Sequence, residues 1–294
     1  SPGNIFQGKQ MKYKFMKEHR DRYRLQSMCN VLNVSRSGYY AWKRRRPSTR
    51  EQENAELLGN IQDIYKKRRK IYGSPRIANE LNEGGIICGK NRVARIMKEN
   101  GIRAYIRKRF KGRPQSRPNH PASPNLLLGG KKKDRVWASD ITYVYTREGW
   151  LYVSAIMDVK TRKIIGLSMK GRLTQELTTD ALVQAVKRER PVKGLIHHSD
   201  RGKQYTSYAY KELLDQYGLQ SSMSRSGNCY DNAHIESFWS TLKKELVYGE
   251  KYKTRIDARL SIFEYIEGFY NRVRKHSALG YKSPEQFDLL INAN

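Results

Sequence analysis

Acidic residues are scarce in this chain: 28 Asp and Glu stand against 58 Lys and Arg in 294 residues, a formal charge of +30. An excess of that size points to a polyanionic partner. Cysteine is nearly absent as well. Cys29, Cys88 and Cys229 are far apart, odd in number and without a CxxC pair, which fits reduced thiols and argues against a disulfide or zinc framework. No apolar run reaches the roughly eighteen residues a membrane span needs, and no charged-then-apolar leader opens the sequence. The expectation is a soluble, cytoplasmic protein with no membrane partner. A sustained heptad pattern is also missing, so no zipper of its own is expected. Residues 1–10, which open SPGNIFQG without an initiating Met, are set aside as a cloning remnant.

The basic charge is concentrated at the front. Residues 1–134 hold 33 Lys and Arg against 10 Asp and Glu, and residues 135–294 hold 25 against 18. At this length two or three domains are expected. In 11–50, Leu25, Met28, Cys29 and Leu32 recur at helical spacing, Asn33-Val34-Ser35 breaks the chain, and Ser35 or Ser37 can cap a second helix carrying Tyr39, Tyr40, Trp42 and the run Lys43 to Arg46. That pair reads as a helix-turn-helix, with Tyr40, Trp42, Arg44, Arg45 and Arg46 as candidate DNA contacts; the plainer reading is a helical pair whose rings are core. Residues 51–102 read as a second helical module, with a helix over Glu51 to Arg69, one opened by Ser74-Pro75 and one over Lys90 to Lys98. Residues 103–133 are rich in proline, glycine and bases, and read as a basic linker in which Arg107, Lys108 and Arg109 can follow phosphates.

From residue 134 the text changes. Val136 to Thr146, Trp150 to Met157 and Lys163 to Met169 read as an antiparallel meander. A helix over Thr174 to Lys187, a strand over Gly194 to His198, a helix near Tyr208 to Tyr217, a strand near Leu219 to Met223 and a helix from Asp231 to about Tyr248 complete the order β-β-β-α-β-α-β-α. The fold class is therefore α/β, a mixed sheet with helices on its faces over 134–250. Residues 251–294 form a helical extension, whose Thr254 to Arg274 stretch reads as one amphipathic helix with a basic end.

Three acids stand out. Asp140 sits inside the first strand, where an ionised carboxylate costs free energy unless a cation or hydrogen bonds compensate it. Asp200 follows a short apolar run, and Glu236 lies on the last long helix. Trp239, Ser240 and Lys243 share the Glu236 face at about 100° per residue, whereas Glu245 points away. Each acid has a plainer reading: a strand-end ion pair, a turn before Gly202, an exposed helix position. Asp158 is a rival that suits a turn. His197, His198 and His234 lack metal-ligand spacing.

The motifs WASDIT, HHSDRGKQYTS, GNCYDNAHIESFWSTLKKE and YNRVRKHSALGYKSPEQF occur in that order, with 59 residues between Asp140 and Asp200 and 35 between Asp200 and Glu236. On these the chain resembles the DDE transposases of the retroviral-integrase superfamily, most closely the catalytic subunits of the IS three family of bacterial insertion sequences. It departs from retroviral integrases in lacking a zinc-binding front domain.

The resemblance implies a ribonuclease H-like fold and a second helix-turn-helix-like module at KIYGSPRIANELNEGGIICGKNRVARIMKENGI. It implies Asp140, Asp200 and Glu236 as catalytic and metal ligands, with Asp140 bridging two Mg²⁺ ions, Asp200 and Glu236 each holding one, and Mn²⁺ able to substitute. Lys243 would contact phosphate beside the metals, its plainer reading being a solvated lysine on an amphipathic helix; the Gly-containing loop before the helix suits closure over DNA, with Asn228 or Tyr230 contacting the strand being cut, and its plainer reading is an inert surface loop. The implied partners are double-stranded DNA (terminal inverted repeats and target), a second copy in a dimer or larger synaptic assembly, and an upstream transposon-encoded protein with a helix-turn-helix and a zipper. Two alternatives share these residues: a structure-specific ribonuclease H-like nuclease that cuts without joining, and a DNA-binding regulator on a decayed nuclease fold.

Overall fold

The computed structural model describes residues 8–105, 123–127, 135–224 and 232–293. Within it the chain divides into two compact units, residues 1–63 and 64–294.

The first unit holds α1 (Lys9–Glu18), α2 (Leu25–Leu32), α3 (Arg36–Arg44) and most of α4 (Thr49–Lys67). Asn33 takes the left-handed conformation that ends α2, and Ser35 caps α3 by accepting from the Gly38 N–H at 3.0 Å. Helix α1 begins inside the stretch set aside as a remnant, and it supplies Tyr13 and Met16 to a core completed by Leu25, Met28, Cys29 and Tyr39. Two helices alone could not have enclosed those side chains.

The second unit opens with the end of α4, then α5 (Ser74–Glu83) and α6 (Lys90–Glu99). Its sheet is built from β1 (Val136–Thr146), β2 (Gly149–Asp158), β3 (Ile164–Lys170), β4 (Ile196–Ser199) and β5 (Gln220–Met223) in the order β3-β2-β1-β4-β5. The β1–β2–β3 meander is antiparallel, and β1–β4–β5 is parallel, which makes β1 the strand where the sheet changes sense. Gly149, at φ 103°, closes the Arg147-Glu148 turn in a conformation that favours glycine.

Helix α7 (Gln175–Glu189) packs on β3 and β2 so closely that a methyl group on Gly166 would overlap the Ala181 carbonyl. Between α7 and the sheet, Trp137, Ile156, Ile165, Leu182, Leu195 and Leu214 form the core with neighbours from α8 (Lys203–Thr206) and α9 (Tyr208–Gln216). Leu126 reaches β5, its N–H donating to Ser222 Oγ at 3.0 Å.

Helix α10 (Ala233–Glu245) follows, then α11 (Arg255–Phe263) and α12 (Pro284–Asn292). The single amphipathic helix expected over Thr254 to Arg274 is not uniform: Glu264–Tyr270 is wound as a π-helix, with the Asn271 N–H donating to the Ile266 carbonyl. The wider turn draws two adjacent pairs, Tyr265-Ile266 and Phe269-Tyr270, onto a narrower inward arc than an α-helix would. Beyond it, the buried Asn271 clamps the start of β3, its Oδ1 accepting from Ile164 N and its Nδ2 donating to Ile164 O, both at 2.9 Å. Burying an amide without both bonds would cost about 1–3 kcal/mol, so the clamp ties this extension to the sheet edge.

Candidate active site

The parallel pairing of β1 with β4 sets Ser139 opposite Ser199. Asp140 and Asp200 therefore occupy the next level on neighbouring strands, where β4 stops and β1 continues. Side chains at one level of a parallel pair share a face, so sheet register alone brings together two carboxylates far apart in sequence. The strand order reverses between β1 and β4, and crevices at the carboxyl ends of strands at such a reversal are the usual ligand sites of open α/β sheets.

Each acid is oriented locally. The Ile141 N–H donates to Asp140 Oδ1 and the Gly202 N–H to Asp200 Oδ1, both at 2.8 Å. Gly202 has to be small, because a Cβ there would stand 2.9 Å from that Asp200 oxygen. Glu236 lies in the first turn of α10, half-buried, on the stripe it shares with Trp239 and Lys243.

The electrostatics join the three. Burial pushes the Asp140 carboxyl up to about 8, with the Asp200 and Glu236 charges adding to it; the Ile141 N–H and Lys243 pull the other way. Burial also raises the Asp200 carboxyl, tempered by the Gly202 N–H. The cluster gathers carboxylates, with Lys243 acting on it. Its donors are hard carboxylate oxygens, which suit Mg²⁺ or Mn²⁺. Among the described residues no group of three His, Cys, Asp or Glu is gathered tightly enough to enclose an ion. The acids thus stand as an electrostatically coupled group.

Rival residues are accounted for. Asp158 serves a turn, its Oδ1 accepting from the Lys160 and Thr161 N–H groups at 2.9 and 3.0 Å, with Arg135 at 3.6 Å from Oδ2. His197 is buried against Tyr210, 3.1 Å from ring nitrogen to hydroxyl, and burial beside His198 lowers its pKa to about 3. His198 bridges Ser222 and Ser224 at 2.9 and 3.1 Å. These histidines hold β4 to its neighbours through their ring nitrogens. Glu245 points away from Glu236 and accepts from Arg274.

Of the other sequence candidates, Arg44, Arg45 and Arg46 are exposed at the end of α3, while Tyr40 and Trp42 lie half-buried against the first unit's core, the Trp42 ring 5.8 Å from that of Tyr13. Lys243 is half-buried beside Tyr143. Arg107, Lys108, Arg109, Asn228 and Tyr230 fall outside the described residues. Sequence reasoning passed over Ser139 and Tyr205. The Ser139 hydroxyl donates to the Tyr205 hydroxyl at 2.9 Å, and the buried phenol's pKa is raised well above the ordinary value by burial, by Tyr210 and by the Asp140 and Asp200 charges. Its position five residues after Asp200, at the first helical turn, was the available signal.

An HTH-like domain model matches residues 51–110, and two integrase core domain models match residues 130–229 and 217–284. The chain is 47% identical over 263 residues to an insertion element IS600 31 kDa protein of Shigella sonnei, covering 88% of this chain and 97% of that one. It is 40% identical over 285 residues to transposase InsF for insertion sequence IS3A of Escherichia coli K12, covering 95% and 98%. Among solved structures, a simian T-cell lymphotropic virus intasome chain is similar at 14% identity and a TM-score of 0.45, covering 77% of this chain and 73% of that one. Identity of four residues in ten, sustained over nearly the full length of both proteins and joined to matching integrase core and HTH-like models, makes this chain a member of the IS3 family of insertion-sequence transposases.

Proposed function

We propose that this transposase binds the terminal inverted repeats of its element through the helical modules of its first hundred residues and cuts and joins DNA at Asp140, Asp200 and Glu236. The observation that carries the reading is the coupling of the three acids: the two other carboxylates act on Asp140, at the point where the sheet changes sense. Asp140, Asp200 and Glu236 would hold two divalent ions, Mg²⁺ or Mn²⁺, which when bound would supply Lewis-acid charge at the attacking and leaving oxygens.

The chain's own residues do the rest. Asp140, whose surroundings favour its protonated form, would hold a metal as the carboxylate, so binding would release that proton. Lys243, beside both Asp140 and Tyr143, neutralises the phosphate that approaches the acids. Water is the first nucleophile and exposes a 3′ hydroxyl; that hydroxyl then attacks target DNA, with no covalent protein–DNA intermediate. The reaction takes place at the bacterial nucleoid in the cytoplasm. Holding two element ends calls for a dimer or larger assembly, with an upstream transposon-encoded helix-turn-helix and zipper protein as a further partner.

The test is strand transfer of a precleaved end with a free 3′ hydroxyl. Asp140→Asn, Asp200→Asn and Glu236→Gln are each expected to abolish joining while repeat binding persists. Near-normal joining by any one removes that residue from the site, and cutting without joining by the unsubstituted chain favours the nuclease.

A further inference from the structure

Along β1 beyond Asp140, the strand's outer end carries an aromatic patch that neither the core nor the acids explain. Tyr143, Tyr145 and Trp150 are 42%, 62% and 44% exposed. Register sets Tyr145 directly opposite Trp150, and all three rings rise from one face of the β1–β2 hairpin. The Trp150 ring meets Tyr143 and Tyr145 edge-on, at 5.1 and 5.2 Å between centroids. Edge-to-face packing braces the rings against one another, and Lys243 sits over the Tyr143 ring, so the ring area left to solvent lies chiefly on Tyr145 and Trp150.

The surroundings of the patch are basic. Lys243 places its ammonium 5.3 Å from the Tyr143 ring centroid, and the same charge acts on Asp140, so one lysine links the patch to the acids. Arg147 is exposed in the turn, and Arg255 donates from Nε to the Trp150 carbonyl at 3.1 Å. Glu148 is the turn's carboxylate and is engaged by the Arg255 N–H at 2.8 Å.

We propose that Tyr143, Tyr145 and Trp150 form a stacking platform for unpaired bases at the end of the DNA strand whose phosphate lies at the acids. Open ring faces next to fixed cations suit a strand with bare π-faces and a charged backbone; a paired duplex hides its base faces. Tyr143 and Asp140, an odd number of residues apart on β1, point to opposite faces of the strand, and Lys243, which acts on both, joins the patch to the acids. The platform would hold a frayed end open and so position the reactive terminus. This inference rests on the transposase reading and adds positioning residues to it.

The experiment compares two duplexes of equal length, one blunt and one with three unpaired nucleotides carrying 2-aminopurine, using the full chain with Tyr145→Leu, Trp150→Leu and Tyr145→Phe. For the frayed end, each leucine variant is expected to lose about 5- to 150-fold in affinity together with the 2-aminopurine signal. Tyr145→Phe, which keeps the ring, should bind as the unsubstituted chain does, and blunt-end binding should be unchanged in all. Equal losses on both duplexes would overturn the proposal in favour of a role in hairpin stability, and unchanged binding would overturn it outright. A shift from dimer to monomer in light scattering would instead assign the face to a second copy. Joining of a precleaved end by the unsubstituted chain, measured alongside, separates failure of the platform from failure of the transposase reading.

Discussion

Replacing Arg274 by Met removes the partner of a buried carboxylate on the helix that carries Glu236. In the structure Glu245 accepts from Arg274 Nε at 2.8 Å, from its terminal nitrogen at 2.6 Å and from the Tyr265 hydroxyl at 2.6 Å. Both charged side chains are 6% exposed. Burial works against the guanidinium's charge, but Glu245 more than offsets it and the Arg274 pKa rises. Without Arg274, the carboxylate keeps the Tyr265 hydroxyl and a more distant Arg76 at 3.9 Å. Stranding one charge of such a pair costs about 3–5 kcal/mol. For a unit of this size, that is a fall of about 6–20 °C in melting temperature.

Thermal unfolding followed by circular dichroism, in buffer free of divalent ions, measures the fall. Glu245→Gln should cost a similar amount because it strands Arg274. The double variant should recover much of the loss, since no charge is then left alone. A single-variant cost below about 1 kcal/mol, or a double variant equal to the sum of the singles, would refute the reasoning. The pair ties the distal end of α10 to the π-wound segment, so a confirmed loss would also lower strand transfer by loosening the mount of Glu236.

Asp140→Asn should stabilise the metal-free protein, because the folded acid titrates near 8 and the unfolded one near 3.8. Between those values the unfolded chain has lost a proton that the folded chain retains, so wild-type stability falls as pH rises through the window and the variant's does not. At pH 7 the gap is at most about 4 kcal/mol, read as a higher melting temperature for the variant; a less stable variant at pH 8 would contradict the burial argument. Mg²⁺ should raise the melting temperature of the wild type more than that of the variant. Gly166→Val should destabilise the second unit by about 1–3 kcal/mol or more, since α7 must move off β3, and an unchanged urea midpoint would show that the contact is slack.

Local pattern in the chain was enough for much of the fold. Period-two runs of β-branched and aromatic residues mark β1, which spans Val136–Thr146 as expected, and the Ser35 cap and Asn33 break delimit α2 and α3. Such features depend on neighbours a few residues apart, and the sequence displays those directly. Less legible was α1, whose Tyr13 and Met16 lie among many charges. The π winding at Glu264–Tyr270 was hidden too, because its sequence satisfies an α-helical spacing nearly as well and only the inward demand of four large side chains separates the two.

By itself the sequence determined that acids of the right type stand at Asp140, Asp200 and Glu236 and that the chain is too basic to ignore a polyanion. Tertiary structure alone decided that Asp140 and Asp200 meet at one level of neighbouring strands, that Ser139 and Tyr205 form a hydrogen-bonded pair close to them, and that Glu245 belongs to Arg274 rather than to the acids. The reason is physical. Which residue types occur is written along the chain, whereas burial and the fields of distant charges arise only when strand register and helix packing bring together groups that sequence separation keeps apart.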